Sequence, residues 1–81
     1  MLFAQIYNAL GDVQAKAGRL KEAMMAYLHT QLLFASEPDS HAEALFHLAE
    51  IWPQLEQTDR ANQSRETLKS RYRNSFWARS L

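Results

Sequence analysis

Three histidines and the acidic residues near them are the side chains most suited to chemistry in this sequence. His41 and His47 lie six residues apart, with Glu43 between them. A helical zinc site places its two histidines four residues apart, so that both imidazoles reach one ion, and it takes a third ligand from elsewhere. Six residues turn the two imidazoles to different sides of a helix, and no third ligand is evident. The sequence therefore predicts surface or capping histidines and no metal site.

Catalysis by a nucleophile or on a phosphate is also disfavoured. No serine stands in a glycine-rich elbow, and no acid–base pair accompanies one. The two glycines are too few for a phosphate-binding loop, and the absence of cysteine excludes disulfides and thiolate metal sites. His29 stands alone on its predicted helix. We therefore expect a protein that is not an enzyme and that carries no cofactor.

The formal net charge is zero, but the charges are distributed unevenly along the chain. Residues 1–57 hold three Lys or Arg and seven Asp or Glu, a net charge of −4, whereas residues 58–81 hold six and two, a net charge of +4. The basic run from Arg65 to Arg73, with Tyr72 beside it, could contact nucleic acid. The acidic remainder of the chain disfavours that function. The same polarity could steer a partner or bring copies together head to tail.

Helices must position these side chains, because apolar residues recur at steps of three and four and no segment alternates as a strand does. In the first helix they form one face, at Leu2, Ile6, Leu10, Val13 and Ala17. Gly18 is suited to a left-handed C-cap that ends this helix, and a second helix follows it. No apolar stretch reaches the length of about 18 residues that a membrane span needs, so we expect no membrane insertion.

A break at residues 36–40 separates the second helix from the third. Pro38 lies within it, and proline disfavours helix in the residue before it. Ser40 and Glu43 then match a capping box, in which the serine is the N-cap and the glutamate reaches back to it. Pro53 should kink or end the third helix, because it has no backbone N–H to donate.

The fourth helix begins at Thr58 or Asp59 and contains few large apolar residues. This composition predicts an outer layer that is half in water. A last short helix begins after Asn74-Ser75, which can cap it, and carries Trp77. The indole needs a surface to cover, since so large an apolar side chain is rarely left in water.

One pattern occurs twice at a shift of 38 residues. Leu10-Gly11 is followed by Ala23, twelve residues after the glycine, and Leu48-Ala49 is followed by Ala61 at the same distance. Small residues at such positions allow two helices to approach closely. A unit used twice predicts an architecture of stacked helical repeats.

Together with Tyr7 and Tyr27, these residues resemble the tetratricopeptide repeat, a pair of antiparallel helices. The resemblance implies an all-α fold in which two repeats and a terminal capping helix stack as a right-handed superhelix. Its parts are the first repeat, a link, the second repeat and the start of the capping helix, at residues 1–35, 36–40, 41–73 and 74–81. The tail from Tyr72 to Ala78 is similar to a joint between repeats of bacterial cell-envelope members, which leaves cytoplasm and envelope both open.

Members of this family usually hold a peptide or a partner helix in a groove lined by the first helix of each pair. The resemblance implies a groove formed here by Gln5, Asn8, Asp12, Lys16, Glu43, Phe46, Glu50 and Gln54. Its acidic side chains would repel a terminal carboxylate and favour a basic or neutral segment. Phe46 lies off the predicted buried face, so it is either an exposed anchor for the partner or packed under the inter-repeat loop.

The sequence thus predicts a non-catalytic scaffold that binds another protein or a peptide. Gln5, Asn8, Asp12, Lys16, Phe46, Glu50 and Gln54 are its candidate partner-binding residues. The alternative is a self-association module, because the charge split and the poorly packed fourth helix would both favour docking to a second copy. Contact with nucleic acid through the basic C-terminal helix is a third, less favoured function.

Overall fold

The computed structural model describes residues 2–81 and the side chains of residues 3–81. In chain order the helices are α1 (Leu2–Lys16), α2 (Leu20–Leu33), α3 (Pro38–Gln54), α4 (Thr58–Arg71) and the short α5 (Phe76–Arg79). Helix α1 packs along α2, and α3 packs along α4, so the chain forms two helical hairpins. Helix α2 also packs on α3 and joins them. The predicted all-α fold of paired helices is confirmed.

Both hairpin turns depend on one residue in the left-handed backbone region. Gly18 has φ of +79° and follows the end of α1, as predicted. In the second hairpin Glu56 adopts φ of +61° at the corresponding point, although it has a side chain. Pro53 lies in the last turn of α3, which ends one residue later, so the predicted end of this helix is also confirmed.

The predicted start of α3 is wrong. The helix begins at Pro38, with Glu37 in an extended conformation before it, so Ser40 lies inside the helix and is buried. Proline is suited to the first helical position, because its fixed φ is helical and that position needs no N–H donor. Residues 38–40 of the predicted link therefore belong to α3. Glu43 does not form the capping box but lies between Asn8 and His47.

The interior is built from two clusters of apolar side chains. One joins α2, α3 and α4 through Ala23, Tyr27, Ala44, Leu48, Ile51, Trp52 and Ala61. The other joins α3 and α4 through Ala42, Leu45 and Leu68, and the side chains of α5 pack against it. Only Ala61, Ser64 and Leu68 of α4 are buried, which confirms the predicted outer layer.

Helix α1 is buried through small side chains and not through its large apolar ones. Ala4, Asn8 and Gly11 face the interior. A Cβ atom at Gly11 would lie 2.5 Å from Cε1 of Tyr27, so only glycine permits this approach. The apolar face predicted for α1 points outward. Leu2 also belongs to this face, but its side chain is not among those that the structure describes. Within residues 2–81, no helix is both long and apolar enough to cross a membrane.

The C-terminal helix α5 is capped as predicted. Ser75 precedes it in an extended conformation, and its Oγ accepts a hydrogen bond of 3.1 Å from the backbone N–H of Ala78. Helix α5 packs against α3 and α4. Trp77 thereby covers part of α3, which is the surface that its indole required.

Candidate interaction surfaces on helices α1 and α3

Four of the seven candidate partner-binding residues are exposed to solvent. These are Gln5, Lys16, Glu50 and Gln54. Helices α1 and α3, which carry all seven, pack against each other. The other three candidates, Asn8, Asp12 and Phe46, make contacts within the chain.

Asn8 is buried, which corrects its predicted place on the groove surface. Only 2% of its surface is exposed. Its Nδ2 donates to the carbonyl oxygen of Ser40 at 3.0 Å and lies 3.4 Å from Oε1 of Glu43. Asn8 therefore ties α1 to the first turn of α3, and it has no free face for a partner.

Phe46 is half-buried and packs on the C-terminal helix. Its ring centroid lies 5.4 Å from that of Trp77 and 5.5 Å from that of His47. It is therefore neither an exposed anchor nor packed under the link between the hairpins. Phe46 stands 38 residues after Asn8, and each contacts the start of the second helix after its own: Asn8 on α1 contacts Ser40 of α3, and Phe46 on α3 contacts Trp77 of α5.

Three carboxylates surround the imidazole of His47. Its Nε2 lies 3.5 Å from Oε2 of Glu43 and 3.6 Å from Oδ1 of Asp12, and its Nδ1 lies 3.6 Å from Oε1 of Glu50. The imidazole stacks on the ring of Tyr27, with 4.8 Å between centroids. The hydroxyl of Tyr27 donates a short hydrogen bond to Oδ1 of Asp12.

These charges determine the protonation of the two rings. Burial by itself lowers the pKa of His47, but the hydrogen bond with Glu43 and the negative charges of Asp12, Glu43 and Glu50 outweigh it, so the pKa is raised. Burial, the hydrogen bond to Asp12 and the same charges all raise the pKa of Tyr27, which keeps the phenol protonated. The site therefore favours positive charge at its centre.

His41 is buried, so the prediction of a surface or capping residue is wrong for it. Its Nδ1 lies 2.6 Å from the hydroxyl of Tyr72. Burial and the neighbouring Arg71 lower the pKa of His41, against a smaller raising effect of the backbone at Gln31. At neutral pH His41 is an uncharged core residue.

No family model matches the chain, and no curated protein or solved structure matches it. The resemblance to tetratricopeptide repeats thus rests on the residues of this chain. Pairs of packed antiparallel helices occur in many all-α folds. Function must therefore be argued from the surfaces that this molecule presents.

A row of four exposed apolar side chains lies on α1, and we call it the α1 stripe. It consists of Phe3, Ile6, Leu10 and Val13, which are between 45% and 64% exposed. Spacings of three and four place them along one side of the helix. Large apolar side chains in a continuous row mark an interaction surface more clearly than scattered ones do.

The residues 38 positions after the α1 stripe are buried. They are His41, Ala44, Leu48 and Ile51 of α3, each at most 4% exposed. Apolar periodicity alone indicated that the α1 face is buried, because a pattern cannot tell what covers it. The 38-residue shift was the signal that relates the two faces, since it pairs each residue of the stripe with a buried residue of α3.

Proposed function

We propose that this chain is a non-catalytic protein-interaction module, built from two tetratricopeptide-like repeats, that binds an apolar helical surface of a partner protein on the α1 stripe. The observation that carries the proposal is the relation between the exposed stripe on α1 and the buried row on α3. Matching rows with opposite exposure indicate a missing neighbour for the first one.

The 38-residue shift relates whole helices and not only single residues. Helices α1 and α3 end 38 residues apart, at Lys16 and Gln54. Helices α2 and α4 begin and end at the same shift, over Leu20–Leu33 and Thr58–Arg71. The α1 stripe therefore occupies the position on its hairpin that the buried row of α3 occupies on the second hairpin.

The residues of α2 that cover the buried row on α3 indicate what kind of partner surface would fit the α1 stripe. Ala23 and Tyr27 of α2 belong to the same cluster as Ala44, Leu48 and Ile51 of α3. The partner surface is thus an amphipathic helix with small and aromatic residues on its apolar face. Such a helix would bury the stripe with the geometry already used between α2 and α3.

A second copy of this chain offers no such helix at its other end. The positions of α4 that correspond to Tyr27 and Leu28 of α2 hold Arg65 and Glu66. Charged side chains there would lose water against an apolar row without gaining partners. Head-to-tail stacking of copies is therefore disfavoured, and self-association would require two α1 stripes to pair with each other.

The exposed groove residues can add polar contacts to the same partner. Gln5 and Lys16 lie on α1, and Glu50 and Gln54 lie on α3. The three carboxylates near His47 favour a basic or neutral segment over an acidic one. Affinity would come mainly from the stripe, since exposed charge pairs contribute little.

Sedimentation velocity over a wide range of protein concentration separates partner binding from self-association. We expect the full chain to remain a monomer, because α4 cannot cover the stripe. The variants Leu10→Lys, in the stripe, and Gln5→Lys, exposed on another side of α1, should sediment as the unmodified chain does. A dimer that Leu10→Lys abolishes and Gln5→Lys retains would contradict the proposal and establish pairing of two stripes.

A further inference from the structure

We infer that Asp12, Glu43 and His47 form a binding site for a divalent transition-metal ion of the zinc type, held between α1 and α3. Each residue offers one ligand atom, and these atoms all lie within 4.8 Å of one another. Two of the ligands come from α3 and the third from α1. The inference does not depend on the α1 stripe, because none of these three residues belongs to it.

The distances around His47 suit a tetrahedral ion. Zinc lies about 2.0–2.1 Å from imidazole nitrogen and carboxylate oxygen, so two tetrahedral ligand atoms are about 3.4 Å apart. Nε2 of His47 lies 3.5 Å from Oε2 of Glu43 and 3.6 Å from Oδ1 of Asp12. The third pair, Asp12 and Glu43, lies within 4.8 Å, so one carboxylate must move toward the other to bring the three atoms to one ion, with a fourth position left for water.

Two of the candidate ligands have a hydrogen-bond partner outside the cluster, and the third, His47, has a carboxylate beside its other nitrogen. The hydroxyl of Tyr27 donates to Asp12, and Nδ2 of Asn8 lies 3.4 Å from Oε1 of Glu43. Oε1 of Glu50 lies 3.6 Å from Nδ1 of His47, the nitrogen that Nε2 ligation leaves free. Metal-binding histidines and carboxylates typically have such outer partners, which fix their orientation.

The buried carboxamide of Asn8 provides a second, independent observation. Asn8 is 98% buried and reaches the cluster at Glu43, yet its Oδ1 accepts no hydrogen bond from the described residues. A buried oxygen without a donor is costly in a native structure. The Asn8 carboxamide therefore meets the cluster through Nδ2 and carries a buried acceptor that is still to be satisfied.

The charge of the cluster favours a divalent cation. Within residues 3–81, Asp12, Glu43 and Glu50 form ion pairs only with His47. An imidazole that ligates an ion through Nε2 is neutral, so the three carboxylates leave negative charge at the site. One nitrogen and two oxygen ligands suit zinc, whereas magnesium and calcium prefer oxygen alone. Asp12 and Glu43 are partly exposed, which allows the ion to enter from solvent.

Calorimetric titration of the full chain with Zn²⁺ and, separately, with Mg²⁺ tests the site. We expect one Zn²⁺ per chain and much weaker binding of Mg²⁺. His47→Gln and Glu43→Gln should each weaken Zn²⁺ binding by more than about 100-fold, because even outer-shell changes cost about 10–100-fold. Glu50→Gln should weaken it by about 10-fold, as an outer partner does. His29→Gln is the matched control, because His29 stacks on Tyr7 outside the cluster.

Two further measurements distinguish a variant that does not bind Zn²⁺ from one that does not fold. Far-ultraviolet circular dichroism establishes that each variant is helical, and imidazole resonances in NMR spectra identify the histidine that responds. Zn²⁺ should shift the resonances of His47 before those of His29 and His41. The inference is overturned if the unmodified chain binds no Zn²⁺, if folded His47→Gln and Glu43→Gln bind it equally well, or if His29→Gln removes the binding.

Discussion

At the scale of single residues, the contact of Gly11 with Tyr27 sets the distance between α1 and α2. A Cβ atom added at Gly11 would lie 2.5 Å from the Tyr27 ring, which is itself fully buried. Alanine in place of glycine gains up to about 1 kcal/mol from helix propensity, but overpacking costs about 1–3 kcal/mol. We expect Gly11→Ala to lower the free energy of unfolding by about 1 kcal/mol, as measured by urea denaturation.

The effect of Gly11→Ala on the free energy of unfolding should disappear or reverse when the Tyr27 ring is removed. In a Tyr27→Leu background the added methyl group no longer meets an aromatic ring, so Gly11→Ala should be neutral or stabilising. A double-mutant cycle measures this coupling directly. Equal losses in both backgrounds would contradict the assignment of the close approach to Tyr27.

The lowered pKa of His41 leads us to expect that the protein loses stability in acid. Burial first, and the nearby Arg71, lower its pKa in the folded protein below the usual 6.5. Its contribution is therefore fully present above about pH 6.5 and is lost as the pH falls toward the folded pKa, because the unfolded chain takes up the proton more readily. His47, whose pKa is raised, contributes in the opposite sense.

The variant His41→Gln isolates this effect, because glutamine does not titrate and can still contact the Tyr72 hydroxyl. We expect the stability difference between the unmodified chain and His41→Gln to become less favourable to the unmodified chain between about pH 7 and about pH 5. Urea denaturation with a metal chelator present measures it. A difference that stays constant over this range would show that His41 has an ordinary pKa.

At the scale of elements, Phe46 holds α5 on the second hairpin. Its ring packs on Trp77 and lies beside the cluster of Ala42, Leu45 and Leu68. Phe46→Ala should lower the free energy of unfolding by about 2 kcal/mol, less than for a fully buried phenylalanine. Trp77 fluorescence should shift to longer wavelength as the indole gains contact with water.

A matched substitution separates anchoring of α5 from general damage to α3. Gln54→Ala changes an exposed residue at the end of the same helix and should leave both stability and fluorescence nearly unchanged. If Phe46→Ala kept full stability, Phe46 would not anchor α5, and the exposed anchor predicted from sequence would be the better description.

Residues that act on their own turn predicted most helix ends. The burial of individual side chains depends instead on packing between distant segments of the chain. Gly18, Pro53 and Ser75 act on their own turns, so the sequence is sufficient to predict the boundaries that they set. The capping box at Ser40 was wrong because the helix begins at Pro38, three residues before the first helical residue that this box predicts. Two valid local signals competed, and the proline is better suited to the first helical position.

The candidate site could be predicted only in part, for a physical reason. The family resemblance placed Gln5, Asp12, Glu50 and Gln54 in a groove on α1 and α3, but neither it nor helical spacing gives the distance between two side chains. The contact of Asp12 with His47 spans 35 residues and depends on how α1 packs on α3. The burial of Asn8 has the same origin, since its partner is the backbone of Ser40.

At the scale of the whole molecule, the two hairpins differ in whether the apolar row on their first helix is covered by another helix. The row on α3 is covered by α2, whereas the α1 stripe has no cover among the described residues. In the function that we propose, the stripe accepts a helix of the same kind as α2. A chain that supplies such a helix at high effective concentration would therefore be more stable.

The most direct measurement is the melting temperature of the full chain extended at its N-terminus by a second copy of residues 1–38, which preserves the 38-residue shift. We predict a melting temperature at least about 5 °C above that of the single chain. Leu10→Lys in the downstream copy should abolish the increase, and Gln5→Lys there should retain it. An unchanged melting temperature, or an increase that Leu10→Lys leaves intact, would contradict the claim that the α1 stripe is a docking surface for a helix.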